Sequence, residues 1–249
     1  MSIAYIQAYP TGEPFNVNCY ASWEGFTELG YDVRKFTRDE MADLELSPET
    51  IVHGSIGAVW AAWRQIGVTK PPYLNVPESL SKFTGRAMWE TTLGEIRRLD
   101  AGPVFIKPLT QDKTFTGHVV REFRDLLETC AFPDDYAILA QEPVNFVSEW
   151  RVFVLRREII GIGHYKGNPL LFPDRSRIDA TLTAYTNPVV AHSMDFGVRN
   201  DGSTILIELN DAYALGYYGL RPIRYTRMVE ARWQQICENE KEVTDDTGD

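Results

Sequence analysis

The sequence predicts two architectures in series, a small parallel α/β unit followed by a larger α+β region. Three observations predict it. Over residues 1–75, apolar strand-like runs alternate with helical stretches, the pattern of a parallel sheet. Pro71-Pro72 then breaks that alternation. Beyond it, runs joined by the turn residues Arg156-Arg157 and Asp201-Gly202 read as antiparallel hairpins. The expected units are residues 1–75 and 76–237, with a separate acidic tail at 238–249.

Taken in order, residues 2–8 read as a strand, and a helical segment runs from Pro10-Thr11-Gly12 to Gly30. Strands follow at 31–36 and 51–55. A short helix at 59–66 carries Trp60 and Trp63 at a spacing that suits one face. In the second unit, residues 81–98 have helical periodicity and 104–107 form a strand that Pro108 ends. Residues 119–129 read as a helix with Val120, Phe123, Leu126 and Leu127 as its apolar stripe. Strands are expected at 136–141, 149–155 and 158–164, and a helix at 225–236 closes the fold.

The most informative stretch is 194–210. With Asp201-Gly202 as a two-residue turn, Asn200 pairs with Ser203, and counting outward sets Asp195 opposite Glu208. Alternation puts Asn210 on the same face and gathers Phe196, Val198, Ile205, Ile207 and Leu209 on the other. Carboxylates directly opposite each other repel. A hard cation such as Mg2+, which prefers carboxylate and amide oxygens, would relieve the repulsion. A solvent-facing hairpin with scattered polar residues is the plain alternative. The glycine- and aromatic-rich loop at 211–220 is an unusual exit for such a surface strand.

Composition excludes several classes. The chain has 249 residues, 44% hydrophobic and 24% charged, which are ordinary globular values. No run reaches the roughly 18 apolar residues of a membrane span, and no signal segment is evident. The three cysteines, Cys19, Cys130 and Cys237, fit no metal spacing and suggest a reduced, cytoplasmic setting. Net charge is −10, but the last twelve residues hold six acids and one lysine, so this tail is expected to be disordered. Nothing resembles the basic surface that duplex nucleic acid requires. Oligomeric state is unreadable.

Further signals concern an anionic ligand. Lys107 ends an apolar strand, where lysine either snorkels outward or meets an anion. The polar loop after it, residues 110–117, carries Lys113, hydroxyls and a glycine, although it lacks the Walker pattern. Pro143 stops strand pairing after Gln141-Glu142 and leaves backbone groups near Val144 able to read a base, or simply marks a strand end. Glu149 and Arg151 share a strand face and either point into a cleft or pair with each other.

In this order the elements resemble the ATP-grasp superfamily of ATP-dependent ligases, over residues 76–236. The resemblance implies a small Rossmann-like domain followed by an ATP-grasp fold whose two α+β subdomains grip the nucleotide. It implies that Lys107 holds ATP phosphates, that Lys113 sits in the loop covering them, and that Gln141, Glu142 and Val144 contact adenine. By the same comparison Glu149 takes the ribose, and Asp195, Glu208 and Asn210 ligate Mg2+, for which Mn2+ could substitute. Arg151 would face the γ-phosphate or an acyl-phosphate. Many members carry a lysine where this chain has Arg86, which is similar to the arginine-for-lysine clade; Lys82 competes for that position. No arginine immediately precedes Asp195, and Arg175, Arg177 or Arg199 are the possible replacements.

The implied activity is a carboxylate–amine ligation through an acyl-phosphate, with an amino acid or peptide on at least one side. A phosphotransferase and a non-catalytic nucleotide-binding module are the alternatives. Tyr165, Lys166, Arg175, Arg177 and the 213–219 loop are candidate substrate walls. His53, His118, His164 and His192 fit no metal spacing and read as structural or exposed.

Overall fold

A computed structural model describes residues 2–99, 102–109 and 114–246, with side chains as far as Glu240. Strands β1 (Ile3–Gln7), β2 (Asp32–Phe36) and β3 (Ile51–His53) form a parallel sheet in the order β2-β1-β3. Helix α1 (Val17–Glu28) starts at Asn16, whose Oδ1 accepts from the Cys19 N–H at 2.9 Å. Helix α2 (Ile56–Gln65) starts at Ser55, whose hydroxyl accepts from the Ala58 N–H at 3.3 Å. Only one of its two tryptophans is a core residue: Trp63 is fully buried, while Trp60 is half-buried beneath the Lys70 ammonium.

Two stretches expected to be helical are not. Across 81–98 the chain forms a short helix α3 (Ser81–Thr84), a strand β4 (Met88–Thr92) and a second short helix α4 (Leu93–Arg98). Gly85 at φ +58° ends α3, and β4 then gains a ladder against β7 (Ala137–Gln141). Across 119–129 an edge strand β6 (His118–Val120) pairs with β5 (Val104–Pro108), and a 3-10 turn runs over Phe123–Thr129. The assumed apolar stripe divides: Val120 and Leu126 are buried, whereas Phe123 and Leu127 face solvent. The Asp125 carboxylate accepts from the Arg121 and Glu122 N–H groups and holds the tighter turn. Together these strands make a sheet in the order β4-β7-β5-β6.

A third sheet, β11-β10-β8-β9, contains β8 (Ser148–Leu155), β9 (Glu158–Gly167), β10 (Ala191–Val198) and β11 (Thr204–Asp211). Arg156 and Arg157, both at positive φ, form the β8–β9 turn as expected. Helix α5 (Arg175–Ala184) follows β9 and buries Ile178 and Thr181.

The closing helix α6 (Pro222–Asp246) is longer than expected and takes in the first part of the acidic tail. Glutamates favour helix, and Glu240 accepts from both the N–H and the hydroxyl of Thr69, so the segment is helical where disorder was expected. Tyr225, Met228, Val229, Trp233, Ile236 and Cys237 give α6 an apolar stripe. That stripe joins the core of the first sheet with Phe26 and Trp63. At the α1–α6 crossing, a Cβ on Gly25 would lie 2.1 Å from the Thr226 hydroxyl, so only glycine lets the helices approach this closely. All three cysteines are free thiols. No described helix is long and apolar enough to cross a membrane.

Candidate active site

The β10–β11 hairpin places Asp195 opposite Glu208, as counted from the sequence, but through two offsetting departures. Arg199, not Asn200, pairs with Ser203, so the loop has three residues and ends on Gly202 at φ +79°. A bulge between Asp195 and Phe196 then restores the register. Ile207 is the extra residue, and Leu206 takes its expected place in the apolar layer beside Met194, Phe196 and Leu209.

Strand β8 completes the row, because Arg151 pairs in register with Asp195. Its guanidinium donates to both oxygens of Asp195, Nε to Oδ1 at 2.8 Å and Nη2 to Oδ2 at 2.7 Å. Asn210 Nδ2 reaches Asp195 Oδ2 at 3.4 Å. From the facing sheet, Lys107 Nζ meets Glu208 Oε2 at 3.0 Å. Inward Val104 and Ile106 leave the alternate residues Phe105 and Lys107 on the other face of β5. The carboxylate repulsion is thus relieved by two of the protein's own cations.

Electrostatics follow from this packing. Burial raises the Asp195 carboxyl above the usual carboxylate range, with the Arg151 bonds pulling the other way. Burial is the largest influence on Glu208 and acts to raise it, but the charge and hydrogen bond of Lys107, the Arg151 charge and the Asn210 bond together hold that carboxyl below its ordinary value. Burial works against the charges of Arg151 and Lys107, and their carboxylate partners more than compensate, so both stay firmly protonated.

Lys107, Arg151, Glu208 and Asn210 line a single cleft of about 680 Å³. Asp195 lies behind Arg151, 1% exposed. Arg151 is fixed from above by Tyr218, whose ring centroid is 4.7 Å from the guanidinium carbon, and Tyr218 stacks on Tyr165. Tyr218 holds a positive φ of 37°, unusual for a bulky residue. Gly163, opposite Arg151, makes room for it: a Cβ there would be 2.4 Å from the Tyr218 carbonyl oxygen.

A family model for the ATP-grasp domain of the arginine-for-lysine clade, the second family of that clade, matches residues 83–228. The chain belongs to this family. No curated protein matches it at the sequence level. Its fold is similar to a RimK domain protein ATP-grasp from Sphaerobacter thermophilus DSM 20745, with TM-score 0.56 and 14% identity over 96% of this chain and 98% of that one. It is also similar to an L-amino acid ligase from Bacillus licheniformis, with TM-score 0.55 and 11% identity over 94% and 74% of the two chains. A D-alanine–D-alanine ligase from Bacillus anthracis gives TM-score 0.51 and 12% identity over 96% and 98%. At these identities the likeness speaks for the fold.

Within this ATP-grasp fold Arg86 sits at the junction of the two sheets. Nε donates to Gln141 Oε1 at 2.9 Å, Nη1 to the Thr84 and Leu206 carbonyls at 3.0 and 2.8 Å, and Nη2 to the Ile207 carbonyl at 2.7 Å. It therefore clamps the bulge that sets the position of Glu208. Burial lowers its pKa to about 10. Arg86, Glu142 and Val144 line a second cavity, of about 630 Å³, separate from the cleft. The Glu142 side chain accepts from the Ala87 N–H at 2.9 Å. Glu149 is buried and accepts from Lys166 at 2.6 Å, so it pairs with a neighbouring strand and not with Arg151. Lys113 lies outside the described residues.

None of the three candidate replacements for the missing arginine enters the cleft. Arg175 is exposed, Arg177 donates to the Lys82 carbonyl over Phe83, and Arg199 donates to the Gly85 carbonyl. Arg151 fills the place beside Asp195 from the adjacent strand. Lys82 contacts Phe83 and does not line the cleft.

Sequence reasoning missed further residues. Tyr73 lines the cleft beside Lys107, as do Asn16, Asn18, His53 and Ser55 from the first unit. The pair Arg232–Asp211, bidentate at 2.8 and 2.7 Å and buried, ties α6 to the residue after Asn210. An arginine on the apolar side of a closing helix is the one signal that could have exposed it.

Proposed function

We propose that this ATP-grasp protein is an ATP- and Mg2+-dependent ligase that joins a carboxylate to an amine through an acyl-phosphate. The observation that carries the reading is one cleft holding Lys107 and Arg151 as cations beside Glu208 and Asn210 as oxygen donors. Such chemistry asks for no protein nucleophile; it asks for charges fixed before the phosphoryl group moves. Asp195 and Tyr218 fix Arg151, so its guanidinium needs little reorganisation to face a transferring phosphoryl group. Lys107 is placed to neutralise phosphate oxygens.

The donor set fits a hard cation. Lys107 engages one oxygen of Glu208, and Asn210 lies beside it on the cleft wall. Asp195 has both oxygens committed to Arg151, so Glu208 and Asn210 are the pair that would hold Mg2+, with Mn2+ as a substitute. The ion, when bound, would supply charge neutralisation on the phosphates. Gln141, Glu142 and Val144, where Pro143 ends the β7 ladder, would read the adenine, with Arg86 and Gln141 holding the two sheets together. Cleft-lining residues of the first unit and the 213–219 loop would form the wall on which the carboxylate and amine, an amino acid or peptide on one side, are gripped. Three free thiols support a reducing, cytoplasmic setting.

ADP and phosphate release with Mg-ATP over a panel of amino acids and dipeptides, with mass spectrometry of the same mixtures, tests the reading. A new amide mass with ADP is expected. A phosphorylated acceptor, or ATP binding without turnover across the panel, would overturn it.

A further inference from the structure

The wall of the cleft built from the first unit carries groups that the phosphoryl transfer itself does not use. The parallel sheet order β2-β1-β3 sets β1 directly beside β3, so their carboxyl ends lie together at one edge of the sheet, where open α/β sheets bind ligands. Helix α2, of 10 residues, begins just after β3, and helix α1, of 12, follows β1 after the loop 8–16. Their N-caps Asn16 and Ser55, with Asn18 and Ile56 from the first turns, all line the cleft that holds Lys107 and Arg151. Helix N-termini present unpaired N–H groups and a partial positive charge.

A second observation is independent of the helices. His53, the last residue of β3, lines the same cleft and is 2% exposed, yet neither ring nitrogen has a hydrogen-bond partner. Its ring meets Tyr225 edge-on at 5.8 Å, which fixes its plane. An unpartnered buried imidazole costs free energy unless a ligand completes it. Asn18 Oδ1 accepts from the Tyr217 N–H at 3.0 Å, which sets this amide against the loop that carries Tyr218.

We propose that the carboxyl ends of β1 and β3 hold an oxyanion of the substrate that does not react, a carboxylate or a phosphate on the same molecule as the reacting carboxylate. The first turns of α1 and α2 and the His53 ring bind it, while the reacting carboxylate faces Arg151 and Lys107. The preferred substrate is therefore a diacid, such as an acidic amino acid or a phosphorylated acid. This rests on the ligase reading for which end reacts, but the subsite can be tested without turnover.

The test is NMR of the isotope-labelled full chain, without ATP, titrated separately with butyrate, glutarate and phosphonoacetate. Saturable shifts are expected at the amides of Asn18 and Ile56 and at the His53 ring with the two dianions, and roughly tenfold weaker binding with butyrate. Glutarate binding more tightly points to a carboxylate anchor, and phosphonoacetate to a phosphate anchor. Asn18→Asp keeps the acceptor for Tyr217 and suits a helix N-terminus, and His53→Phe keeps the ring packing; both should erase the dianion preference. Equal binding of all three ligands, shifts that spare these residues, or an intact preference in both variants would overturn the subsite. The two readings fail separately. A dianion preference with no amide from any acid–amine pair would sink the ligase and leave the subsite, whereas amide formed equally from monoacids and diacids would do the reverse.

Discussion

Replacing Arg151 with methionine leaves the Asp195 carboxylate buried without its partner. The pair is joined by two charge-assisted bonds of 2.8 and 2.7 Å, and its side chains are only 7% and 2% exposed. Removing one member of such a pair costs about 3–5 kcal/mol, because the remaining charge has neither water nor a partner. Urea unfolding at neutral pH should show a loss of that size for Arg151→Met. The stranded carboxyl, its folded pKa raised well above the unfolded value, takes up a proton as pH falls. Asp195 sits at about 6 even with Arg151 pulling it down, so without Arg151 the deficit should shrink as pH falls toward 6. The double variant Arg151→Met/Asp195→Leu should recover most of the stability, since an apolar pair of similar volume replaces two buried charges. A loss under about 1 kcal/mol in the single variant, or a double variant no better than the single, would refute the claim that this pair neutralises itself inside the fold.

Other consequences can be measured independently. Arg86→Lys offers a point charge where four acceptors need a planar fork; it should cost about 1–3 kcal/mol and raise hydrogen exchange at residues 206–208, read by mass spectrometry. Gly163→Ala places a methyl 2.4 Å from the Tyr218 carbonyl oxygen, so it should displace that loop and lower kcat with little change in ATP affinity by calorimetry. Lys107→Met should weaken ATP binding by about tenfold or more and raise the pKa of Glu208, read from the pH dependence of binding. His53 and His192 are held by burial at about 4, below the ordinary 6.5. The unfolded chain binds these protons first, so stability should fall as pH drops from about 6.5 to 4, by about 3 kcal/mol for each histidine. His53→Phe should flatten that slope in urea unfolding.

The parallel sheet and the carboxylate pair were legible because their signals are local. Strand and helix alternation needs no partner, and Asp201-Gly202 bounds its own hairpin. Even there, agreement at Asp195 and Glu208 depended on a three-residue loop and a bulge that cancel, which alternation alone does not reveal. Arg151 shows the limit more sharply. The sequence offered Glu149 or a cleft as its partner, but the sheet order sets β8 against β10 and chooses Asp195. Which strands are neighbours is a long-range property, absent from spacing. The segments 81–98 and 119–129 failed for the same reason: helix-like apolar spacing was overridden by ladders to β7 and β5. Arg86 was legible as an unusual residue, but its four acceptors come from three separate parts of the chain. His53 read as structural or exposed, and a histidine ending a strand shows in the sequence neither its burial nor its unpartnered ring nitrogens.

The central claim is that the cleft between Lys107, Arg151, Glu208 and Asn210 activates a carboxylate with ATP. Trapping with hydroxylamine tests it most directly: the full chain is incubated with Mg-ATP and pooled carboxylic acids, without amine, and products are read by mass spectrometry. The account predicts a hydroxamate that requires ATP and Mg2+ and is lost in Glu208→Gln, a variant that should still fold. ATP binding with no hydroxamate from any acid, or equal yield from Glu208→Gln, would contradict it.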